Sequence, residues 1–220
     1  MAIETSVAYN TLVANPAEFL RKYPVRIFGH TGASGTWRYY LLNRAQSKRP
    51  GSVLGNLRMH DTESFEIRAN GGPMMAVGFG NGEHPFDAQS VHMDVGLPNM
   101  GFFRLGAGGS NIMVTGQLSG CSFVMIPAGP GQVDVAHVKP AGQDGKALYD
   151  NIAVNNPNAQ IYGAAGTKGN YDSDDRVASI IGVRSGAGWT IYAQKQLQAS
   201  GTDYRIKSVY RIYPTRTKVS

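Results

Sequence analysis

From Val25 almost to its end the chain is a succession of short β-type runs, nearly every one broken by glycine, asparagine or proline. They cover residues 25–28, 36–42, 53–59, 64–68, 74–79, 91–95, 101–105, 112–115, 122–126 and 133–138, then 177–183, 189–194 and 204–213. Runs this short, separated by turn formers, imply many strands joined by tight connections. The 28 glycines among 220 residues, about 13% against a usual ~7%, fall between the runs without a period, as turns require. Hydrophobic content of 42% and charged content of 16% are those of an ordinary globular chain able to bury a core.

Helical signals are few. Residues 1–24 read as a helical segment, with Val7, Leu12, Phe19 and Leu20 near helical spacing. Pro16 is either a kink or the first residue of a second helix after Asn15, and Pro24 closes the segment. Residues 142–153 form the other candidate, with Leu148, Ile152 and Ala153 on one side and Asp144 as a possible cap. The strand pattern around Thr190 and around Tyr204 alternates cleanly, which predicts one wet face for each of these strands. No repeat or long linker divides the chain. The expectation is one α+β domain over 1–220, a mostly antiparallel β-sandwich flanked by a few helices.

The formal charge of +6 comes from 21 Lys and Arg against 15 Asp and Glu. Basic residues are dispersed, and those gathered near the C-terminus (Arg205, Lys207, Arg211, Arg216, Lys218) alternate with apolar ones as on an outer strand face. No nucleic-acid recognition motif accompanies the charge, so nucleic acid is not an expected partner. No membrane span is expected either, because no run nears the ~18 apolar residues needed. The N-terminus lacks the pattern of a classical signal peptide, so synthesis in a cytoplasm is expected, with any exit from the cell by a route that leaves no cleavable signal. The oligomeric state is not legible.

A single cysteine excludes an internal disulfide and any multi-cysteine metal centre. It stands in Leu118-Ser119-Gly120-Cys121. Glycine before the cysteine permits a tight bend that aims the thiol outward and leaves backbone N–H groups to hold an oxyanion. A thiol nucleophile needs a base. His137 lies in the next β-type run, after the turn formers of 127–131. If the two runs form a hairpin, the start of the first lies opposite the end of the second and brings Cys121 to His137. Asp134, at odd spacing from His137, should face away. The bland alternative is a buried structural cysteine and a satisfied core histidine.

Leu118-Ser119-Gly120-Cys121, with Thr115 six residues before the cysteine and a histidine on the following strand, resembles the signature of bacterial glutamine deamidase toxins. These include the Burkholderia lethal factor and the catalytic domain of the cytotoxic necrotizing factors, with the chemotaxis receptor deamidases more distant. The likeness covers the motif-bearing core, residues 112–140, and the order of elements beyond it; the first hundred residues show no match. It implies Cys121 and His137 as a catalytic pair with Thr115 at the site, and Gly120 and Ser119 beside the oxyanion. It also implies a protein substrate presenting an exposed glutamine, and no cofactor. The related alternatives are a Cys/His transglutaminase or protease, and the non-catalytic one is a β-sandwich binding module.

Other residue groups carry weaker signals. His84 and His92 with Glu83, Asp87 and Asp94 match no metal-site spacing. Asp172, Asp174 and Asp175 lack the glycine and glutamate of a calcium loop and read as a solvated turn. Gly106, Gly108 and Gly109 open no helix and read as a flexible loop at the rim of the site.

Overall fold

The structure, a computed structural model, describes residues 3–29, 31–43, 63–70, 83–165, 170–171, 177–186, 188–200 and 203–220, without the side chains of 198–200 and 203–204. The strands expected over 53–59 and 74–79 and the acidic turn at 172–175 lie outside the described residues. The N-terminal segment is two helices, α1 (Thr5–Ala14) and α2 (Pro16–Lys22). Asn15 separates them: its side chain accepts the backbone N–H of Glu18, and Pro16 fills the first turn, where a missing N–H costs nothing.

Fourteen strands are described: β1 (Val25–Phe28), β2 (Gly35–Asn43), β3 (Phe65–Ala69), β4 (Glu83–Val91), β5 (Met93–Val95), β6 (Phe103–Leu105), β7 (Ile112–Thr115), β8 (Ser122–Gly129), β9 (Gln132–Lys139), β10 (Gln160–Gly163), β11 (Val177–Ser185), β12 (Gly188–Ser200), β13 (Asp203–Tyr213) and β14 (Thr217–Lys218). The helix α3 (Gly145–Asn155) follows β9, and Asp144 caps it by accepting the Ala147 N–H, as its sequence suggests.

The strands make two sheets. The large one runs β1-β3-β2-β4-β7-β11-β12-β13-β14, and the small one β10-β8-β9-β5 with β6 also on β9. Most pairs are antiparallel; β1/β3, β4/β7 and β5/β9 are parallel. Three cores give the layering. Leu12, Phe19 and Leu20 of the helices pack on Ile67, Ile112 and Val114 from one face of the large sheet. Its other face meets the small sheet through Met113, Ile180 and Ile191 against Phe123, Met125 and Val135. Beyond the small sheet, Leu148 and Ile152 of α3 cover Val124, Ala136 and Val138. The chain is thus a single α+β domain in which a sandwich carries a helical layer on each outer face.

Two expectations need correction. Residues 83–90, not counted among the β-type runs, belong with Val91 to strand β4. Pro85 is tolerated because β4 pairs with β2 over Glu83–Ser90 but meets β7 only over Gln89–Val91, so among the described residues no strand lies on its other side at the proline. The wet face expected on β12 is absent over residues 193–196. Gln194, Lys195 and Gln196 are buried there, with α2 and neighbouring loops supplying acceptors. Gln194 donates to the Leu20 and Tyr23 carbonyls, Lys195 to that of Asn170, and Gln196 to that of Val25. Alternation reports that residues are polar, not whether a backbone carbonyl or water meets them.

Candidate active site

Strand periodicity decides which side chains can meet between the sheets. In β8 and the residue before it, Cys121, Phe123 and Met125 point into the inter-sheet core, whereas Val124 points to α3. In β9, Val133 and Val135 point inward while Ala136 and Val138 face α3, so His137 points inward too. The hairpin register sets Phe123 opposite His137 and Ser122 opposite Val138. Cys121 is therefore the diagonal neighbour of His137 on one face of the sheet. Gly120, with φ of 82°, makes the bend into Cys121 that glycine alone adopts without strain.

The third group comes from the opposite sheet. In β7, Ile112 and Val114 face the helices and Met113 faces the small sheet, so Thr115 faces the small sheet as well. Its Oγ1 lies 2.7 Å from His137 Nδ1 and donates to the Val91 carbonyl at 2.8 Å. That carbonyl is available because β4 and β7 run parallel with Val91 beside Thr115. A threonine hydroxyl has one proton, and the Val91 carbonyl takes it. Thr115 Oγ1 must then accept from Nδ1–H, which leaves the lone pair of His137 on Nε2. Nε2 is buried and has no hydrogen-bond partner among the described residues.

The sulfur is held differently. Cys121 Sγ lies 4.0 Å from Met93 Sδ and 3.9 Å from the Ser119 carbonyl, and no hydrogen bond joins it to the imidazole. Burial raises the thiol pKa, against smaller lowering contributions from the Ser119 carbonyl contact and Lys139. Burial also lowers His137, with a further push from His92, to about 3. At neutral pH the pair rests as thiol and neutral imidazole, not as an ion pair. Tyr171 fixes the turn from behind by donating its hydroxyl to the Cys121 carbonyl, and that buried phenol has its own pKa driven far up by desolvation. The first residue of α3 stands against the same turn: a Cβ added to Gly145 would come 2.6 Å from the Gly120 carbonyl oxygen.

The structure thus sets Cys121 and His137 on one face of the small sheet and Thr115 across from His137 on the large one, with Gly120 in the bend and Ser119 exposed beside it. Asp134 faces away and pairs with Arg104 at 2.8 Å, holding its carboxyl below the usual range. The loop of Gly106, Gly108 and Gly109 is not a free rim. Its carbonyls are stitched to Arg184, Trp189 and Gln89, and it precedes β7 at the end away from Thr115. His84 stacks on Tyr9 at 4.4 Å, Asp87 pairs with Arg38, and Asp94 accepts the Gly101 N–H. Among the described residues no three acidic, histidine or cysteine side chains converge as metal ligands.

Two residues beside the site were not singled out for this chemistry. Met93 lies opposite His137 in the parallel β5/β9 ladder. His92, weighed only as a metal ligand, has a buried Nδ1 without a partner among the described residues and acts electrostatically on His137. Neither had a sequence signal, because a parallel pairing between distant segments leaves no local pattern.

No protein-family model matches the chain, and no curated protein matches it. Among solved structures, the crystal structure of the C-terminal domain of CNFy from Yersinia pseudotuberculosis aligns over 98% of this chain and 100% of that one, at 11% identity and a TM-score of 0.45. A likeness of that size carries nothing about the chemistry, which must come from the side chains themselves. No described helix is long and apolar enough to cross a membrane.

The Thr115 contact makes a sharp prediction. Thr115→Val keeps the shape but leaves buried Nδ1–H without an acceptor, at a cost of about 1–3 kcal/mol. It also frees the ring to place its proton on Nε2, so any reaction that uses Nε2 as a base should slow roughly a hundredfold or more. Thr115→Ser keeps the hydroxyl and should stay near wild type. Paired unfolding and activity measurements on both variants check this.

Proposed function

We propose that this protein is a cysteine-dependent glutamine deamidase, a toxin or effector that converts a glutamine of a host protein to glutamate. One observation carries the reading: Thr115, its own proton committed to the Val91 carbonyl, takes the Nδ1–H of His137 and leaves a bare Nε2 on the face that bears the only thiol of the chain. A base presented by a hydroxyl–imidazole relay beside a thiol is the arrangement nucleophilic acyl transfer uses. The resemblance around Leu118–Cys121 narrows the acyl group to a side-chain carboxamide.

In this mechanism Nε2 takes the thiol proton as Sγ attacks the carboxamide carbon. Thr115 stabilises the imidazolium through Nδ1. Backbone N–H groups of the Ser119-Gly120-Cys121 bend hold the tetrahedral oxyanion. Collapse breaks the C–N bond, the imidazolium protonates the leaving nitrogen, and ammonia departs. Water, deprotonated by Nε2, then attacks the thioester; the C–S bond breaks, glutamate leaves, and the thiol recovers its proton.

The test is to incubate the protein with host-cell lysate and map glutamine-to-glutamate changes by mass spectrometry. Sites present with wild type and missing with Cys121→Ser support the reading, and identical proteomes overturn it. A labelled primary amine would reveal transglutamination, and gel fragments would reveal proteolysis. The burial of Cys121 favours a second reading, a β-sandwich binding module with a structural cysteine. For that module a native thiol should stay unreactive until the chain unfolds, whatever its neighbours are.

A further inference from the structure

Cys121 and His137 are sealed in the resting fold, at 3% and 0% exposure. Across the inner face of the small sheet runs a row set by the ladders: Tyr162 opposite Phe123, Phe123 opposite His137, and His137 opposite Met93. The first three are fully buried, and Met93 is 38% exposed with its thioether 4.0 Å from the thiol. It is therefore a solvent-exposed side chain resting against the sulfur. Its strand is only Met93–Val95 and ends the sheet path, with β9 as its ladder partner. An unbranched thioether side chain changes rotamer at little cost. On the buried side, His137 Nε2 has no partner among the described residues, in a position where an unmade hydrogen bond is costly.

We propose that Met93 is the gate of this site: its side chain swings off Cys121 to admit a carboxamide and then lines the passage for the aliphatic stem behind it. Val95, on the same side of the strand and 47% exposed, continues the apolar wall. What enters rests on the deamidase reading; that a gate exists rests on packing alone. Opening also supplies what the closed site lacks. Desolvation is the largest cause holding the thiol pKa up and the imidazole pKa down, and a polar group admitted at Met93 relieves both.

The experiment is the rate at which iodoacetamide, itself a small carboxamide, alkylates Cys121 in native wild type, Met93→Ala and Met93→Leu. Met93→Ala should label about tenfold faster or more, and Met93→Leu, which refills the volume, should stay within about threefold of wild type. Equal rates for wild type and Met93→Ala overturn the gate. So does an acceleration that grows with sub-denaturing urea as global unfolding does, since gating predicts a rate flat in that range. Labelling needs no protein substrate. Fast labelling of Met93→Ala with no glutamine conversion by wild type would leave the gate standing and remove the deamidase reading.

Discussion

Cys121→Ala is expected to lower glutamine conversion by roughly 10⁴-fold or more, and adding His137→Gln to it is expected to lower it no further. Residues that act as one unit are not additive, because once the nucleophile is gone a base has nothing to deprotonate. His137→Gln alone should cost nearly as much as Cys121→Ala. With the base lost, the thiol, held above its usual pKa by burial, has no group to ionise it. Two independent losses that multiply would mean that the residues serve separate purposes. Rates measured on one mapped glutamine, for both single variants and the double, decide between these outcomes.

The second large effect concerns stability and follows from the depth of His137. Below pH 6.5 the imidazole of the unfolded chain takes up a proton, but the folded one stays neutral until about pH 3. Over that window the unfolded state binds more protons. Stability therefore falls as the pH falls from 6.5 to 3 and levels off below, by up to about 5 kcal/mol for this one group. The groups that act on it are its own burial and His92, with Thr115 on Nδ1. His137→Gln should remove that part of the slope. Denaturant midpoints of the two proteins between pH 7 and pH 4 test it, and the ring proton shifts of His137 in the wild type give the titration directly. A His137 that titrates near pH 6.5 in the folded protein would contradict the site as described.

Much of this arrangement is local and was legible in the sequence. Asn15-Pro16 and Asp144 announce helix starts through their own side chains. The turn formers before Gln132 announce the β8/β9 hairpin, but its register, and hence the diagonal of Cys121 and His137, is set by the two-residue turn together with a one-residue shift between Pro127 and Gly129 that the sequence does not announce. Thr115 was reached through resemblance, and its physical role needed the second sheet: only the stacking of β7 over β9 shows that its hydroxyl orients the ring.

What was not legible is non-local. The strand β4 hides behind Pro85 because nothing in the sequence says that, among the described residues, one side of it has no strand at the proline. The buried polar row of β12 looks like a wet face until α2 is laid on it. Met93 and His92 reach the site through β5, three residues paired in parallel with a strand some forty positions away. Hairpin geometry makes Cys121 and His137 diagonal neighbours, but no hydrogen bond joins them, and burial raises the thiol pKa while lowering that of the imidazole.

The most direct test of the central claim is to trap the thioester. In host lysate with wild-type protein, added hydroxylamine should compete with water. The same glutamines should then appear as γ-glutamyl hydroxamates in place of glutamates, and both products should vanish with Cys121→Ala. Glutamate formed without any hydroxamate, or either product persisting without the Cys121 sulfur, would contradict it.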